Sequence, residues 1–457
     1  MRRDTDERRT LLDALGALYA RGYPVDFRQL YPEGGRVVEL PTYAWQRERH
    51  WVPGIPSHRA AAAEADPLAA SVYEVAWRRV ERAPVAAPAA EGGAWLVLED
   101  RSGLGAELAS RLRAQGEAVV RALRGHGFAS VEPDLYTIHP ARAADHDALL
   151  AAAFGGRECR GVVHLGSLGA TPWEQATAET LEDDQRLGFS SALSAVQAIL
   201  RRRARQRPRV WLVTRGAQAV GNAPVTGVGA ATLWGLGRTI QLEQPEIRCA
   251  LVDLDPAQAS GGAAELLAEL RASDEELQVA LRGGARHVAR LCRTSFEAAR
   301  ESAIRIGGDA TYLVTGGLGG LGLAIAGWLV DQGARHLALV GRRAPSPEAR
   351  EAIAAMEARG AAVRVHAADV SVRADVDRVL ADIDACMPPL RGIAHAAGLA
   401  GEAAMIPDVA ARDLRPLLAP KLIGAFHVWP GNHSLAGDGI EGVLDVVRER
   451  LRGASVG

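Results

Sequence analysis

The sequence predicts an α/β protein built from two tandem doubly wound units, the second incomplete. Three observations carry that reading. Between residues 94 and 300, short apolar runs alternate with helix-like stretches, the pattern of a parallel sheet covered by helices on both faces. From residue 311 the same alternation begins again. The two stretches also share a phrase: RGVVHLGSL at Arg160–Leu168 parallels RGIAHAAGL at Arg391–Leu399, which points to duplication of one unit. A length of 457 residues has room for two or three domains at about 150 residues each.

The elements follow in order. Leu11, Leu12, Leu15, Leu18 and Tyr19 share one stripe of a predicted helix over 9–21, and Gly22 stops it. Leu40–Trp51 reads as extended, because Pro41 biases its predecessor away from helix and large aromatics recur on an Arg-rich background. Residues 53–70, rich in Pro and Ala, and 82–93, with Pro84, Pro88, Gly92 and Gly93, read as loose connections. Strands are predicted at Trp95–Leu98, Gly161–Leu165 and Val210–Thr214, with helices near 106–115 and 190–203. In the second stretch the strands are Thr311–Thr315, His336–Val340, Ala362–His366 and Gly392–His395. Helices fall between them, running to about Gln332, over 347–359 and over 374–385.

Composition removes several function classes. Apolar residues make up 48% and charged residues 24%, ordinary globular usage. No apolar run approaches the ~20 residues of a membrane helix. The charged start, Met1–Arg9, has no apolar stretch behind it, so no signal peptide is expected and the expected location is cytoplasmic. A net charge of −2 suggests neither nucleic acid nor membrane as partner. Cys159, Cys249, Cys292 and Cys386 are scattered without metal or disulfide spacing, so no metal is expected.

The strongest chemical signal is the run Thr315, Gly316, Gly317, Leu318, Gly319, Gly320, Leu321, Gly322. It follows a predicted strand and opens a predicted helix, the context a dinucleotide loop requires. Glycines allow the tight turn and let backbone approach a pyrophosphate, and the helix N-terminus adds partial positive charge. Arg342 and Arg343 end the next strand, where an acidic residue would bind a ribose 2′-hydroxyl; arginine suits a 2′-phosphate, so NADPH is expected over NADH. Asp369 and Val370 follow the third strand, where an adenine would lie; a turn or helix cap is an equal reading of Asp369. His395, Ala396, Ala397 and Gly398 end the fourth strand, and the small residues suit packing of adenosine and ribose on backbone. For His395 itself a loop histidine without catalytic role is the favoured reading. In the first stretch, Asp100–Gly105 has too few glycines to cradle a pyrophosphate, and no cofactor is expected there. Finally, of 53 basic residues 52 are Arg, and the single Lys is Lys421. A lysine where every other cation is Arg suggests a need for an ammonium, compact and tunable.

Together Thr315–Gly322, Gly341–Arg343, Asp369, His395–Gly398 and the Pro420-Lys421…Gly424-Ala425 segment resemble the ketoreductase domain of modular type I polyketide synthases, a short-chain dehydrogenase/reductase relative with Rossmann-like units. Upstream, Tyr73–Trp77, Leu233–Arg238, Leu251–Leu254 and Leu281–Gly284 resemble its structural subdomain, and Leu40–Trp51 the linker that follows an acyltransferase. The resemblance spans about residues 10 to 428. It implies five parts: a post-acyltransferase linker (1–52), a flexible linker (53–70), a structural subdomain without cofactor (71–300), an NADP-binding catalytic subdomain (301–428) and a divergent tail (429–457). It implies an acyl carrier protein-bound β-ketoacyl thioester as substrate, and an acyltransferase domain or other polyketide synthase chains as partners.

In such reductases a tyrosine protonates the β-keto oxygen while NADPH delivers hydride, a serine holds the carbonyl, and a lysine positions cofactor and lowers the tyrosine pKa. Lys421 matches that lysine. The serine and tyrosine expected beyond it are not matched: no tyrosine follows Tyr312, and Ser434 and Ser455 lack the strand context. The loop after Gly398 lacks the Leu-Asp-Asp triplet of one stereochemical class. In the tail, Asp438 as cap and Ile440, Val443, Leu444, Val447 and Leu451 as a stripe suggest one amphipathic helix. The expectation is a fragment of a polyketide synthase module whose ketoreductase region is truncated before its active site and inactive alone. The alternatives are a structural or docking fragment for a neighbouring acyltransferase and a reductase completed by a second chain.

Overall fold

The computed structural model describes residues 6–33, 72–82, 93–202, 207–221, 223, 225–258, 261–294, 306–399, 401 and 404–428. The extended segment at 40–51, the connection at 53–70, most of 82–93 and the tail at 429–457 lie outside the described residues. The chain divides into two units, Met1–Ala65 and Asp66–Gly457.

The first unit holds α1 (Glu7–Tyr19) and α2 (Phe27–Leu30). The Asp6 carboxylate caps α1, accepting the Arg8 N–H at 2.9 Å, and Gly22 sits at φ +85°, so the helix stops where the sequence predicts a stop. None of the predicted apolar stripe of α1 is buried.

In the second unit a ten-stranded sheet holds β1 (Tyr73–Arg79), β2 (Ala94–Leu98), β3 (Ala118–Arg124), β4 (Ala129–Glu132), β5 (Leu135–Ile138), β6 (Cys159–His164), β7 (Arg209–Arg215), β8 (Ala250–Leu254), β9 (Gln278–Arg282) and β10 (Ala285–Arg293). Their order across the sheet is β1-β10-β9-β8-β7-β6-β2-β3-β5-β4. The strands from β8 to β5 are parallel, as the alternation predicts. The parallel core that the alternation predicts is extended at its margins by three antiparallel pairs, β1 with β10, β10 with β9 and β4 with β5. Consecutive β9 and β10 are joined by Gly283 and Gly284, both at positive φ, so a tight hairpin replaces the crossover helix a parallel pair requires.

Both faces of this sheet are covered. Leu96 and Leu98 pack with α4 (Ala143–Phe154), α6 (Ser191–Arg201) and α7 (Thr232–Glu243). Trp95 and Val97, alternating with them, pack with α3 (Leu104–Ala114) and α8 (Ala263–Leu270). A further helix, α5 (Ala178–Gln185), runs through a π-turn at Arg186–Ser190 directly into α6.

The second sheet is parallel throughout. It holds β11 (Thr311–Thr315), β12 (His336–Gly341), β13 (Ala362–Ala367) and β14 (Leu390–His395) in the order β13-β12-β11-β14. Tyr312, Val314, Leu337 and Leu339 face α9 (Gly320–Asp331) and α10 (Pro347–Ala358). Leu313, Ala338 and Val340 face α11 (Arg373–Cys386). The stretch β5-β3-β2-β6 repeats this order, the topology of one doubly wound half used twice. After β14 come α12 (Ala411–Leu418), a π-turn at Ala419–Ile423 and α13 (Gly424–Val428). Leu181 of α5 packs on Ile423 and Phe426, and Gln197 of α6 donates to the Ile406 and Val409 carbonyls at 2.8 Å, so helices of the first sheet pack against the segments that follow β14. Among the described residues no helix is long and apolar enough to cross a membrane.

Candidate dinucleotide-binding site

The site begins where β11, buried along its whole length, runs into glycine. Gly316 adopts φ +67°, and a Cβ there would sit 2.6 Å from the Ala396 carbonyl oxygen. Only glycine meets both demands. Gly319 N–H donates to Gly316 O at 3.0 Å and closes the turn, and α9 starts immediately with no side chain capping it. The two glycines of its first turn differ. A Cβ on Gly322 would strike Gly316 O directly, whereas a Cβ on Gly320 would meet nothing within 4 Å. Gly322 lets the helix close onto the loop; at Gly320 the space a side chain would take is open, and no side chain caps the helix N–H groups. That terminus is a ready anion site.

The neighbouring strand ends supply the rim. Leu318 packs on Gly341, where a Cβ would sit 2.7 Å from its Cδ1, which brings the loop against the end of β12. Arg342 and Arg343 follow and are exposed, and among the described residues neither guanidinium is engaged by a carboxylate. Asp369 forms an Asx turn: its Oδ1 accepts Ser371 N–H at 2.9 Å and Ser371 O–H at 2.7 Å. The Val370 carbonyl accepts from Nδ1 of buried His427 at 3.0 Å, so α13 holds this loop from behind.

At the end of β14, His395 stands opposite Thr315 in register. Its Nε2 lies 2.9 Å from the Pro420 carbonyl, which only accepts, so Nε2 carries the hydrogen. Nδ1 is then free to accept the Thr315 hydroxyl at 2.8 Å. Burial holds the imidazole pKa below its ordinary value, consistent with this neutral tautomer. Ala396 N–H donates to Thr315 O at 3.0 Å, and the backbone of Ala396 and Ala397 crosses over Gly316. Lys421 is exposed within the second π-turn, its Cε 3.3 Å from where a Gly398 Cβ would lie.

The structure thus gathers Thr315–Gly322, Gly341–Arg343, His395–Gly398 and Lys421 at the C-terminal ends of β11, β12 and β14, where open α/β sheets bind ligands. Thr315, His395 and Asp369 spend their polar groups on the protein itself. The open Gly320 and the uncapped helix fit the pyrophosphate of a dinucleotide, and the two free arginines fit a further phosphate. Among the described residues no group of three or more His, Cys, Asp or Glu is placed to hold a metal. The matching turn in the first sheet is built otherwise. Asp100 accepts Gly105 N–H at 3.1 Å and Ser102 N–H at 2.7 Å, putting a carboxylate at the start of α3, where it opposes a phosphate. Sequence reasoning missed the π-turn, the Pro420 carbonyl and His427; the shared His164 and His395 phrase was the one available signal.

Fold and site together define a doubly wound protein with one dinucleotide-type loop among the described residues. Comparison with known proteins narrows this. Residues 310–432 match the model of the KR domain, and residues 75–291 match that of the Rossmann fold domain of the polyketide synthase extender module SpnB. One component of the phenolphthiocerol/phthiocerol polyketide synthase of Mycobacterium tuberculosis is 31% identical over 374 residues, covering 79% of this chain and 20% of that protein. Erythronolide synthase EryA3 of Saccharopolyspora erythraea is 32% identical over 426 residues, 93% of this chain and 11% of its own length. Among solved structures, an A1-type ketoreductase superimposes with a TM-score of 0.63 at 30% identity, covering 79% of this chain and 71% of that one. The chain belongs to the ketoreductase regions of modular polyketide synthases. It spans about a fifth or less of the length of these two curated synthases. Ketoreductase domains are Rossmann-fold oxidoreductases that use a nicotinamide cofactor.

Proposed function

We propose that the second sheet binds NADPH, that the first is a structural half without cofactor, and that the 457-residue chain alone does not reduce a β-ketoacyl thioester. One observation carries the binding: the uncapped N-terminus of α9 with open space at Gly320, flanked by the exposed Arg342 and Arg343. Thr315–Gly322 cradle the pyrophosphate, Arg342 and Arg343 pair with the 2′-phosphate, Asp369 and Val370 border the adenine, and His395–Gly398 line the adenosine side. Lys421 supplies the ammonium beside the cofactor. NADPH, when bound, supplies a hydride.

A proton must reach the developing alkoxide, and general acid catalysis is typically worth about 10²–10⁴-fold. Tyr312 does not serve: it is buried in β11 with its hydroxyl accepting Gly307 N–H at 2.7 Å, and no tyrosine follows it. The substrate class is an acyl carrier protein-bound β-ketoacyl thioester, and the partners are an acyltransferase or other polyketide synthase chains. A tyrosine and serine brought by another polypeptide would complete the chemistry; a purely structural or docking role is the competing reading. Calorimetry with NADPH and NADH, followed by turnover assays on a β-ketoacyl thioester, tests this. Binding that prefers NADPH without turnover above a Lys421→Ala control is expected. Equal affinities would overturn the arginine assignment, and turnover would overturn the inactivity.

A further inference from the structure

We propose that His395 is a positioning residue that ties the Lys421 turn to the phosphate loop, setting the lysine and the dinucleotide cradle as one unit; this rests on the NADPH-binding reading above.

The geometry is a two-sided bridge. On one side the imidazole accepts the hydroxyl of Thr315, the residue directly before Gly316. On the other it donates to the carbonyl of Pro420, the residue directly before Lys421. Gly424, at the start of α13, lets that helix approach: a Cβ there would sit 3.5 Å from His395 Cε1 and 2.6 Å from Val370 Cγ2. The π-turn is the reason a bridge is needed. A five-residue π-turn interrupts the regular ladder and bulges the backbone, a device common at functional sites. The bulge exposes Lys421, and the Pro420 carbonyl on its flank takes its hydrogen bond from outside the helix.

The duplicated half serves as an internal control. His164 ends β6 as His395 ends β14, but its Nε2 lies 3.0 Å from Ser191 Oγ, the first residue of α6 beyond the π-turn, whereas His395 Nε2 reaches a backbone carbonyl inside its turn. There the register partner on the first strand is Leu98 rather than a threonine, and His164 Nδ1 has no hydrogen-bond partner. The third residue of that turn is Gly188 where the second half has Lys421. A histidine bonded to the helical segment beyond the fourth strand therefore belongs to the fold, present in both halves, and of the two only His395 bonds into the turn itself. The added hydroxyl of Thr315 and the added lysine occur together, only in the half with the open glycine loop. A link made solely for packing has no need of that second hydrogen bond.

Lys421 is the only lysine in the chain, so biosynthetic incorporation of lysine carbon-13-labelled at Cε gives a single side-chain NMR signal. In the nucleotide-free full chain, His395→Ala and Thr315→Val should shift that signal, His395→Gln should restore it in part by donating to Pro420, and His164→Ala should leave it unmoved. NADPH should bind about tenfold more weakly to His395→Ala, the size expected for a lost buried hydrogen bond. The double variant His395→Ala with Lys421→Ala should bind no worse than Lys421→Ala alone. An unmoved Lys421 signal in His395→Ala and Thr315→Val, or additive losses in the double variant, would overturn the proposal. If His395→Ala does not fold, Thr315→Val and His395→Gln decide it by the same signal. If the parent chain fails to bind NADPH, the functional reading falls, while the nucleotide-free signal still judges the bridge.

Discussion

Two glycines two residues apart separate folding from binding. Replacing Gly322 with Ala drives a methyl onto the Gly316 carbonyl and within 2.7 Å of Gly317 Cα, all backbone that no rotamer change relieves. Overpacking of this kind costs about 1–3 kcal/mol. Replacing Gly320 with Ala meets nothing within 4 Å. That change should leave stability level or improve it slightly, because glycine in a helix is disfavoured against alanine by up to about 1 kcal/mol. Its methyl would stand in the space we assign to the pyrophosphate. Thermal unfolding and NADPH calorimetry on both variants give the test. Gly322→Ala should lower the midpoint by a few degrees, at about 2–4 °C per kcal/mol for a unit of this size. Gly320→Ala should hold its midpoint and lose NADPH affinity by about tenfold or more, by analogy with a displaced phosphate contact worth about 1.5–3 kcal/mol. Unchanged NADPH affinity in Gly320→Ala, or an unchanged midpoint in Gly322→Ala, would refute the division of labour.

Arg342→Asp should reverse the preference between NADPH and NADH, measured by calorimetry, since a carboxylate repels a 2′-phosphate and accepts a ribose hydroxyl. Asp184, buried beside Thr171 and Gly229, has its carboxyl pKa raised from 3.8 to about 6 by desolvation. Because the folded state then holds its proton more tightly than the unfolded state, stability should fall as pH rises from about 4 to 6; Asp184→Asn should flatten that slope in urea titrations. Burial pushes the Cys159 and Cys249 thiols up to about 12, whereas Cys386 is exposed. Iodoacetamide followed by mass mapping should label Cys386 in the native protein and reach Cys249 only after unfolding.

The glycine loop was legible because its demands are local. Positive φ at Gly316 and the close approach of Gly322 to Gly316 lie within seven residues of chain, and each excludes a side chain by sterics alone. The parallel strands were legible because burial on both faces writes a continuous apolar run, as in Ala94–Leu98 and Thr311–Thr315. What escaped depends on partners distant in sequence. Strand β1 pairs with β10 across more than 200 residues, and its exposed face gives no periodic hint of that neighbour. The bond from His427 to the Val370 carbonyl spans 57 residues, and the one from His395 to Pro420 spans 25. A backbone carbonyl has no residue type, so no composition or spacing announces it.

The repeated strand order lets the two halves be compared position by position. Both halves keep the same strand order and the same histidine at the end of the fourth strand. Selective changes then fall on the same edge. At the first turn, the carboxylate of Asp100 in one half stands against bare N–H groups after Gly319 in the other. At the strand end, Leu98 stands against Thr315, and in the turn Gly188 stands against Lys421. Two of these changes move the second half toward holding an anion, a negative charge absent and a positive charge gained, while the Thr315 hydroxyl is spent on His395. None of the three is required by the sheet, whose packing both halves achieve with the same alternation of Leu, Val and Ala. Differences that packing does not demand, concentrated at the C-terminal edge of the strands, are the physical ground on which we propose a cofactor site within residues 306–428.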